Sequence, residues 1–427
     1  MTAVRDPATA AGGRLTVGFM PLVDCAILAV AHEKGFARAE GLDLTLARET
    51  SWANIRDRVA LGHFDAAHML GPMPIAASLG IGRAPVATVA PFALGLGGNA
   101  ITLAADLFGA MQDAAPDPDA FARFEPAAVG HALAAMIRRR RGAGHAPPVI
   151  AVVHPFSAHH YEVRYWLHAV GLDPDADVQI TVLPPAAMGP ALRERRIDGF
   201  CAGEPWGSLA VEAGLGALAV VKSALWRQGP DKVLGLRADV AERAPDTVAA
   251  LIRALHHAAR WAGDPANTAE LAVLLAGETY LAAPAAVVAR ALTGRMVRSA
   301  GTEPAAVPDF LVLDRTAASF PWLSHALWFY AQMVRWGHVA HTPEAAAAAR
   351  RTYRPDLYRA ALAPLGADVP RADAKVEGAL RHPTPVASRS GTLVLGPDGF
   401  FDGRLFDPDH LDQYIAAFGN PDQPPAE

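Results

Sequence analysis

Short apolar runs followed by helical runs, over and over, constrain this chain more than any single motif. "RLTVGFMPL" (14–22) reads as a strand and "CAILAVAHEKGF" (25–36) as a helix that stops near Gly35. "GLDLTLARE" (41–49), "FDAAHML" (64–70) and "APVATVAPF" (84–92) read as further strands. Between them lie the helical runs "NIRDRVALG" and "PMPIAASLG", the second opened by a proline at its first turn. Apolar runs at strand length alternating with 3.6-period runs predict a mostly parallel sheet with helices on its faces. A second set starts near "GNAITLA" and runs through the strands "VIAVV", "VQITVL", "DGFCAG" and "ALAVV" with helices between them. "DKVLGLRAD" (231–239) then reads as a strand crossing back, and the pattern is helical from "PDTVAALIRALHHAARWAG" to about residue 300. Two α/β sets joined by chain crossings predict a clamshell with its ligand in the cleft. The expected division is 14–97 plus 236–340 for one lobe and 98–235 for the other. Residues 341–427 are expected to form a C-terminal helix and a Pro/Gly-rich tail packing on the first lobe.

The stretch "HPFSAHHYEVRYWL" (154–167) crowds three histidines and a serine between a strand and a helix. Val163, Trp166, Leu167 and Val170 stand at i, i+3, i+4 and i+7, the apolar stripe of a helix. In open α/β folds ligands sit at such strand-to-helix turns, where free backbone N–H groups favour anions. The bland reading is that Ser157 caps the helix and the histidines lie on the surface. His68, in "FDAAHML", is either a lining residue of the cleft floor or a hydrogen-bonded core histidine. The run Arg138–Arg141 reads as a solvated helix end whose charge suits the helix dipole.

Composition excludes several classes. The chain has 427 residues, a net charge of −5 and 52% hydrophobic residues, so it can bury a large core and shows no global basic field for nucleic acid. Cys25 and Cys201 both lie in apolar stretches and read as buried free thiols. "MTAVRDPATAAGGRLTVGFMPL" shows no apolar signal core, twin arginine or lipid-anchoring cysteine, and no run approaches the ~20 apolar residues of a membrane span. No nucleophile elbow, zinc-protease motif or phosphate loop is present, so catalysis is not expected. Neither a cofactor nor a metal is expected: His159 and His160 have no carboxylate or cysteine at a supporting spacing.

Several blocks in order, "GFMPLVDCAILAVAHEKGF", "SWANIRDRVALGHFDAAHMLGPMP", "HHYEVRYWLHAVGLDPDADVQITVLPP", "DGFCAGEPW", "LWRQGPDKVLGLRAD", "PWLSHALWF" and "YRPDLY", resemble the nitrate/bicarbonate-binding protein family of ABC importers, the NrtA/CmpA-like proteins. The resemblance spans roughly residues 15–410 and implies an α/β fold of the type II periplasmic-binding-protein kind, two lobes closing on a small planar oxyanion. Carried over residue by residue, it implies ligand positions at Trp52, Asn99, His159, Pro185, Gly203 and Lys232. Asn99 stands where the family shows glutamine, which keeps the amide and shortens its reach. "HPFSAHH" departs from the family's glycine-rich turn, so Phe156 and Ser157 are expected to narrow the cleft or add a hydroxyl.

These residue types suit nitrate, a planar anion with three acceptor oxygens and no proton of its own. Lys232 is expected to supply the compensating charge, Asn99 and a histidine the donors, and Trp52 a flat wall with one N–H. Bicarbonate has an O–H that needs an acceptor, and the family's bicarbonate branch carries an acidic residue and calcium where Lys232 stands, so the resemblance favours nitrate or nitrite. His159 is expected to be partly charged near neutral pH, with affinity rising as pH falls. A chain without an export signal resembles the cytoplasmic nitrate/nitrite sensors of the NasS type. It is therefore expected to be cytoplasmic and to control an RNA-binding antiterminator of the ANTAR type, with no direct nucleic-acid contact. The alternative is the substrate-binding subunit of a nitrate, nitrite, bicarbonate or cyanate ABC transporter.

Overall fold

The computed structural model describes residues 13–418. The first 12 residues, which include most of the stretch that carries the expected cytoplasmic location, lie outside the described residues. The strands are β1 (Arg14–Phe19), β2 (Asp43–Arg48), β3 (Ala66–Leu70), β4 (Thr88–Ala93), β5 (Leu96–Gly97), β6 (Asn99–Ala104), β7 (Val149–Val152), β8 (Gln179–Val182), β9 (Gly199–Gly203), β10 (Gly216–Val221) and β11 (Lys232–Arg237). Ten of them build two five-stranded sheets, in the orders β2-β1-β3-β11-β4 and β10-β6-β9-β7-β8, and β5 pairs instead with Leu311–Val312. β1 runs parallel to β2 and β3, and β7 runs parallel to β8 and β9, as the alternation with helices predicts. β11 is antiparallel to both its neighbours because the chain enters that strand from the other lobe. The fold is therefore the two-lobed α/β architecture read from the sequence.

The outward crossing is short and glycine-dependent. Gly95, Gly97 and Gly98 all have positive φ, and a Cβ on Gly97 would meet the Phe310 carbonyl oxygen at 2.2 Å. The return crossing lies between Val221 and Lys232, so the expected boundary after residue 235 cuts through β11.

Helix Pro245–Gly263 buries Val248, Leu251, Ile252, Leu255, Ala258, Ala259 and Ala262, a helical-period stripe facing helix Ala26–Glu33. Each large side chain on such a stripe contributes about 2 kcal/mol on burial. Helix Ala158–Ala169 behaves differently. Every residue from Ala158 to Leu167 is buried, polar ones included. The stripe Val163–Trp166–Leu167 packs into the second lobe. The opposite face is covered by the C-terminal part of the chain: Tyr161 Oη lies 2.9 Å from His338 Nδ1, and Tyr165 Oη donates to Asp402 at 2.8 Å.

That C-terminal part reaches beyond the first lobe. Helix Leu323–Arg335 packs on helix Pro72–Ser78 of the first lobe. The tail then returns to the second: Phe401 N–H donates to Leu225 O at 2.9 Å, Arg227 N–H donates to Gly399 O at 3.0 Å, and Trp226 stacks on Phe400 with centroids 4.5 Å apart.

Candidate functional site

Both sheets aim the ends of their strands at one buried junction. From the first lobe, β1 leads into the turn Val23–Cys25 that presents Asp24. β3 presents His68, β11 begins at Lys232, and Asp231 lies just before it. From the second lobe, β6 begins at Asn99, which faces Gly203, the last residue of β9, across the ladder. His159 lies in the first turn of helix Ala158–Ala169. Trp52 opens helix Trp52–Ala60, fixed by Ser51 Oγ accepting the Asn54 N–H at 3.2 Å.

Distances tie these side chains together. Lys232 Nζ lies 2.6 Å from Asp231 Oδ2, 3.0 Å from Asp24 Oδ2 and 5.6 Å from the centroid of the Trp52 ring. Asn99 Nδ2 donates to Asp231 Oδ2 at 3.0 Å, bridging the lobes. His159 Nε2 stands 3.8 Å from the same oxygen, an electrostatic contact beyond hydrogen-bond length. His68 Nε2 lies 3.1 Å from Asp24 Oδ1 while its Nδ1 accepts the Met20 N–H at 3.5 Å. A Cβ on Gly203 would touch Asp24 Oδ2 at 3.5 Å, which sets Gly203 against the same cluster. Pro185 opens helix Pro185–Arg193 and is buried, and it can offer only apolar surface and a carbonyl.

The cleft is closed: Lys232 and Asn99 are each 1% exposed and His159 0%. Burial alone would push both aspartates up, but Lys232 holds Asp24 and Asp231 below the usual carboxylate range, helped by the neighbouring histidines. Burial alone would lower Lys232, yet Asp231 and Asp24 hold it above the usual amine value. Lys232 is thus a charge already shared by two carboxylates rather than the free compensating charge expected from the sequence. Burial draws His159 down to about 3, with Lys232 and Lys222 adding to the effect against Asp231. The ring is therefore neutral in the closed form, not partly charged near pH 7 as expected.

Trp52 Nε1, both ring nitrogens of His159 and Asp231 Oδ1 are buried without a hydrogen-bond partner among the described residues. A buried polar atom left unpaired costs about 1–3 kcal/mol, and most such atoms in folded chains are satisfied. Their convergence on Lys232 marks a place built for a small polar guest. One N–H of Asn99 is spent on Asp231, so its amide offers the guest only the other.

The rest of the histidine-rich stretch has other duties. Ser157 Oγ accepts the His160 N–H at 3.0 Å and donates to His154 O at 2.7 Å, so it caps the helix. His154 Nδ1 accepts the Phe156 N–H at 3.0 Å, and the His160 ring packs 5.4 Å from that of His338. Glu204 accepts the Ser208 N–H at 3.2 Å. Behind His159, Lys222 Nζ bonds the Glu162 carboxylate and donates to Pro230 O at 2.8 Å.

Sequence reasoning missed Asp24 and Asp231. Asp24 carried a signal, a lone acid inside the apolar run "MPLVDCAILAV" at the end of a predicted parallel strand. Asp231 looked like an ordinary turn residue in "GPDK", and only the fold shows that it is 2% exposed.

Comparison with known proteins bears out the fold. A family model described as the NMT1-like family matches residues 9–276. The chain is 35% identical over 327 residues to the bicarbonate transport ATP-binding protein CmpC of Synechococcus elongatus, covering 76% of this chain and 45% of that one. It thus spans about half the length of that relative. It is 31% identical over 411 residues to the nitrate/nitrite binding protein NrtA of the same organism, covering 94% of this chain and 85% of that one. The crystal structure of the periplasmic nitrate-binding protein NrtA from Synechocystis PCC 6803 superposes with a TM-score of 0.80 at 27% identity, covering 96% of this chain and 99% of that one.

Proposed function

The chain belongs to the NMT1-like family and is a homologue of the NrtA and CmpA proteins, and from that premise we propose that it is a nitrate/nitrite-binding sensor that controls an RNA-binding antiterminator of nitrate assimilation. The observation that carries the reading is the closed junction, where Trp52 Nε1, the His159 ring and the remaining Asn99 N–H surround Lys232 with donors. Nitrate needs such donors around a planar anion and offers no proton in return. Trp52, Asn99, His159, Pro185, Gly203 and Lys232 are the proposed ligand positions. The role is binding, not catalysis. No helix among the described residues is long and apolar enough to cross a membrane.

The sensing step follows from the two lobes. The bodies that close are the two five-stranded lobes, with Asp231 moving with β11 in the first. The anion favours the closed form by touching both, and a partner that prefers the open form is released by mass action. About 1.4 kcal/mol of coupling changes partner affinity tenfold. The proposed partner is an ANTAR-type antiterminator and the proposed location is cytoplasmic. The expected result is co-purification of the antiterminator without nitrate and its release on adding nitrate or nitrite. Nitrate binding with no effect on any such partner would overturn the sensor role.

A second reading is favoured by the relatives, which are named as nitrate- or bicarbonate-binding and transport proteins. In it the chain is the substrate-binding subunit of an ABC importer. Nitrate-dependent stimulation of a membrane ATPase by this chain, with no antiterminator captured, would establish that reading instead.

A further inference from the structure

The charges that face the cleft do not balance for an incoming anion. His159 is faced by Asp231 and Lys232 at the start of β11 and by Asp24 in the turn after β1. Lys222 faces it from helix Lys222–Leu225. Lys222 is paired with Glu162, and that pair is neutral whichever partner holds the shared proton. His68 Nε2 faces Asp24 Oδ1 at 3.1 Å. Cys201 and Tyr353, which face Asp231, are pushed up by burial and stay protonated. Two carboxylates, Asp24 and Asp231, stand against the single ammonium of Lys232 in the closed cleft. Nitrate or nitrite entering unaccompanied would add a further negative charge, within the reach of one side-chain cluster and away from water.

His159 is the group in this cluster with both ring nitrogens free to take part. His68 already faces Asp24 Oδ1 with Nε2 at 3.1 Å and the Met20 N–H with Nδ1 at 3.5 Å. Both oxygens of Asp24 face cations or donors already. His159 has two nitrogens without a partner, one of them 3.8 Å from Asp231 Oδ2. A protonated ring there pairs with Asp231 on one side and gives the anion an N–H on the other. We propose that Asp231 is a binding-site residue of this cleft that makes a monovalent oxyanion bind together with one proton, taken from solvent and held between His159 and Asp231. The inference rests on reading the cleft as the oxyanion site. No bond is made or broken beyond the transfer of that proton from buffer to imidazole.

The test is calorimetric titration of the full chain with nitrate, and separately with nitrite, at pH 8 in two buffers of different ionisation heat. The expected result is net proton uptake on binding, with Kd rising as pH rises. Asp231→Asn removes one of the two carboxylates, so it is expected to bind nitrate with no proton uptake and a flat pH profile. If that variant fails to fold, the two-buffer titration of the wild type decides alone. Nitrate bound with no proton uptake and a flat profile would overturn the proton coupling while leaving the oxyanion site standing. No heat with nitrate or nitrite anywhere from pH 5.5 to 8.5 would overturn the reading of the cleft, and the coupling with it.

Discussion

Two buried clusters in this molecule have nearly the same composition, one lysine between two carboxylates with a histidine beside them. In the C-terminal part, Lys375 bonds both Glu377 and Asp398, and His325 Nε2 lies 3.4 Å from Glu377 Oε1. In the cleft, Lys232 lies between Asp24 and Asp231, with His68 and His159 nearby. The difference is in what else holds the acids. Glu377 Oε1 accepts the Ser324 hydroxyl at 2.6 Å, and Asp398 Oδ1 accepts the Leu380 N–H at 2.9 Å. That cluster is closed by nearby backbone and hydroxyl donors, and it ties the tail to helix Leu323–Arg335. The cleft cluster draws its members from both sheets and leaves Asp231 Oδ1, Trp52 Nε1 and the His159 nitrogens without partners among the described residues. Nearly the same side chains thus stand in two settings, one where each carboxylate oxygen has its partner close by and one where donors and acceptors from both sheets are left over.

The largest effect separates the two roles. Lys375→Met strands two buried carboxylates and is expected to cost about 3–5 kcal/mol of stability, read by urea unfolding, with nitrate affinity retained below the transition. An equal loss of nitrate affinity would mean the clusters are not distinct. Lys232→Met is expected to weaken nitrate by at least 100-fold, about 2.7 kcal/mol, in a titration of the folded variant. Unchanged affinity there would remove the cleft from consideration.

Acid should weaken the fold through the buried histidines. Burial draws His159 and His160 down to about 3, below their unfolded value near 6.5. The unfolded chain then binds protons first, so their contribution is whole above about pH 6.5 and is lost as pH falls toward 3. At pH 5 the loss is about 2 kcal/mol for each ring, read as a lower unfolding midpoint than at pH 7. Glu377, which burial pushes up but Lys375 and His325 hold down to about 2, loses its contribution only below its unfolded value near pH 4.3. A stability that is flat from pH 7 to 5 would contradict the burial of these histidines. The smallest effect is that of Gly203→Ala. The new methyl meets Asp24 Oδ2 and Leu22 at ordinary contact distance, so stability should change by less than about 1 kcal/mol while nitrate affinity drops several-fold.

The periodicity of the chain carried the architecture well, because strand and helix runs differ in length and period and both lobes repeat the pattern. What it could not carry was burial by distant chain. Helix Ala158–Ala169 shows an amphipathic stripe, yet the tail around Asp402 and the loop at His338 cover its polar face. Hence His160 and Arg164, which look like surface residues, are buried. Trp52 and Lys232 entered the candidate site through the family resemblance, because a lone tryptophan or a turn lysine carries no signal of a site by itself. Asp231 was invisible because acids are common in turns, and its role depends on a lysine, an asparagine and a histidine that only the fold brings together.

The most direct test of the central claim is titration of the desalted full chain with nitrate and nitrite, alongside Lys232→Met and with Lys375→Met as the structural control. Saturable binding of one anion that Lys232→Met abolishes and Lys375→Met keeps is the predicted result. No binding of either anion, or binding that Lys232→Met leaves intact, would contradict the assignment of this cleft.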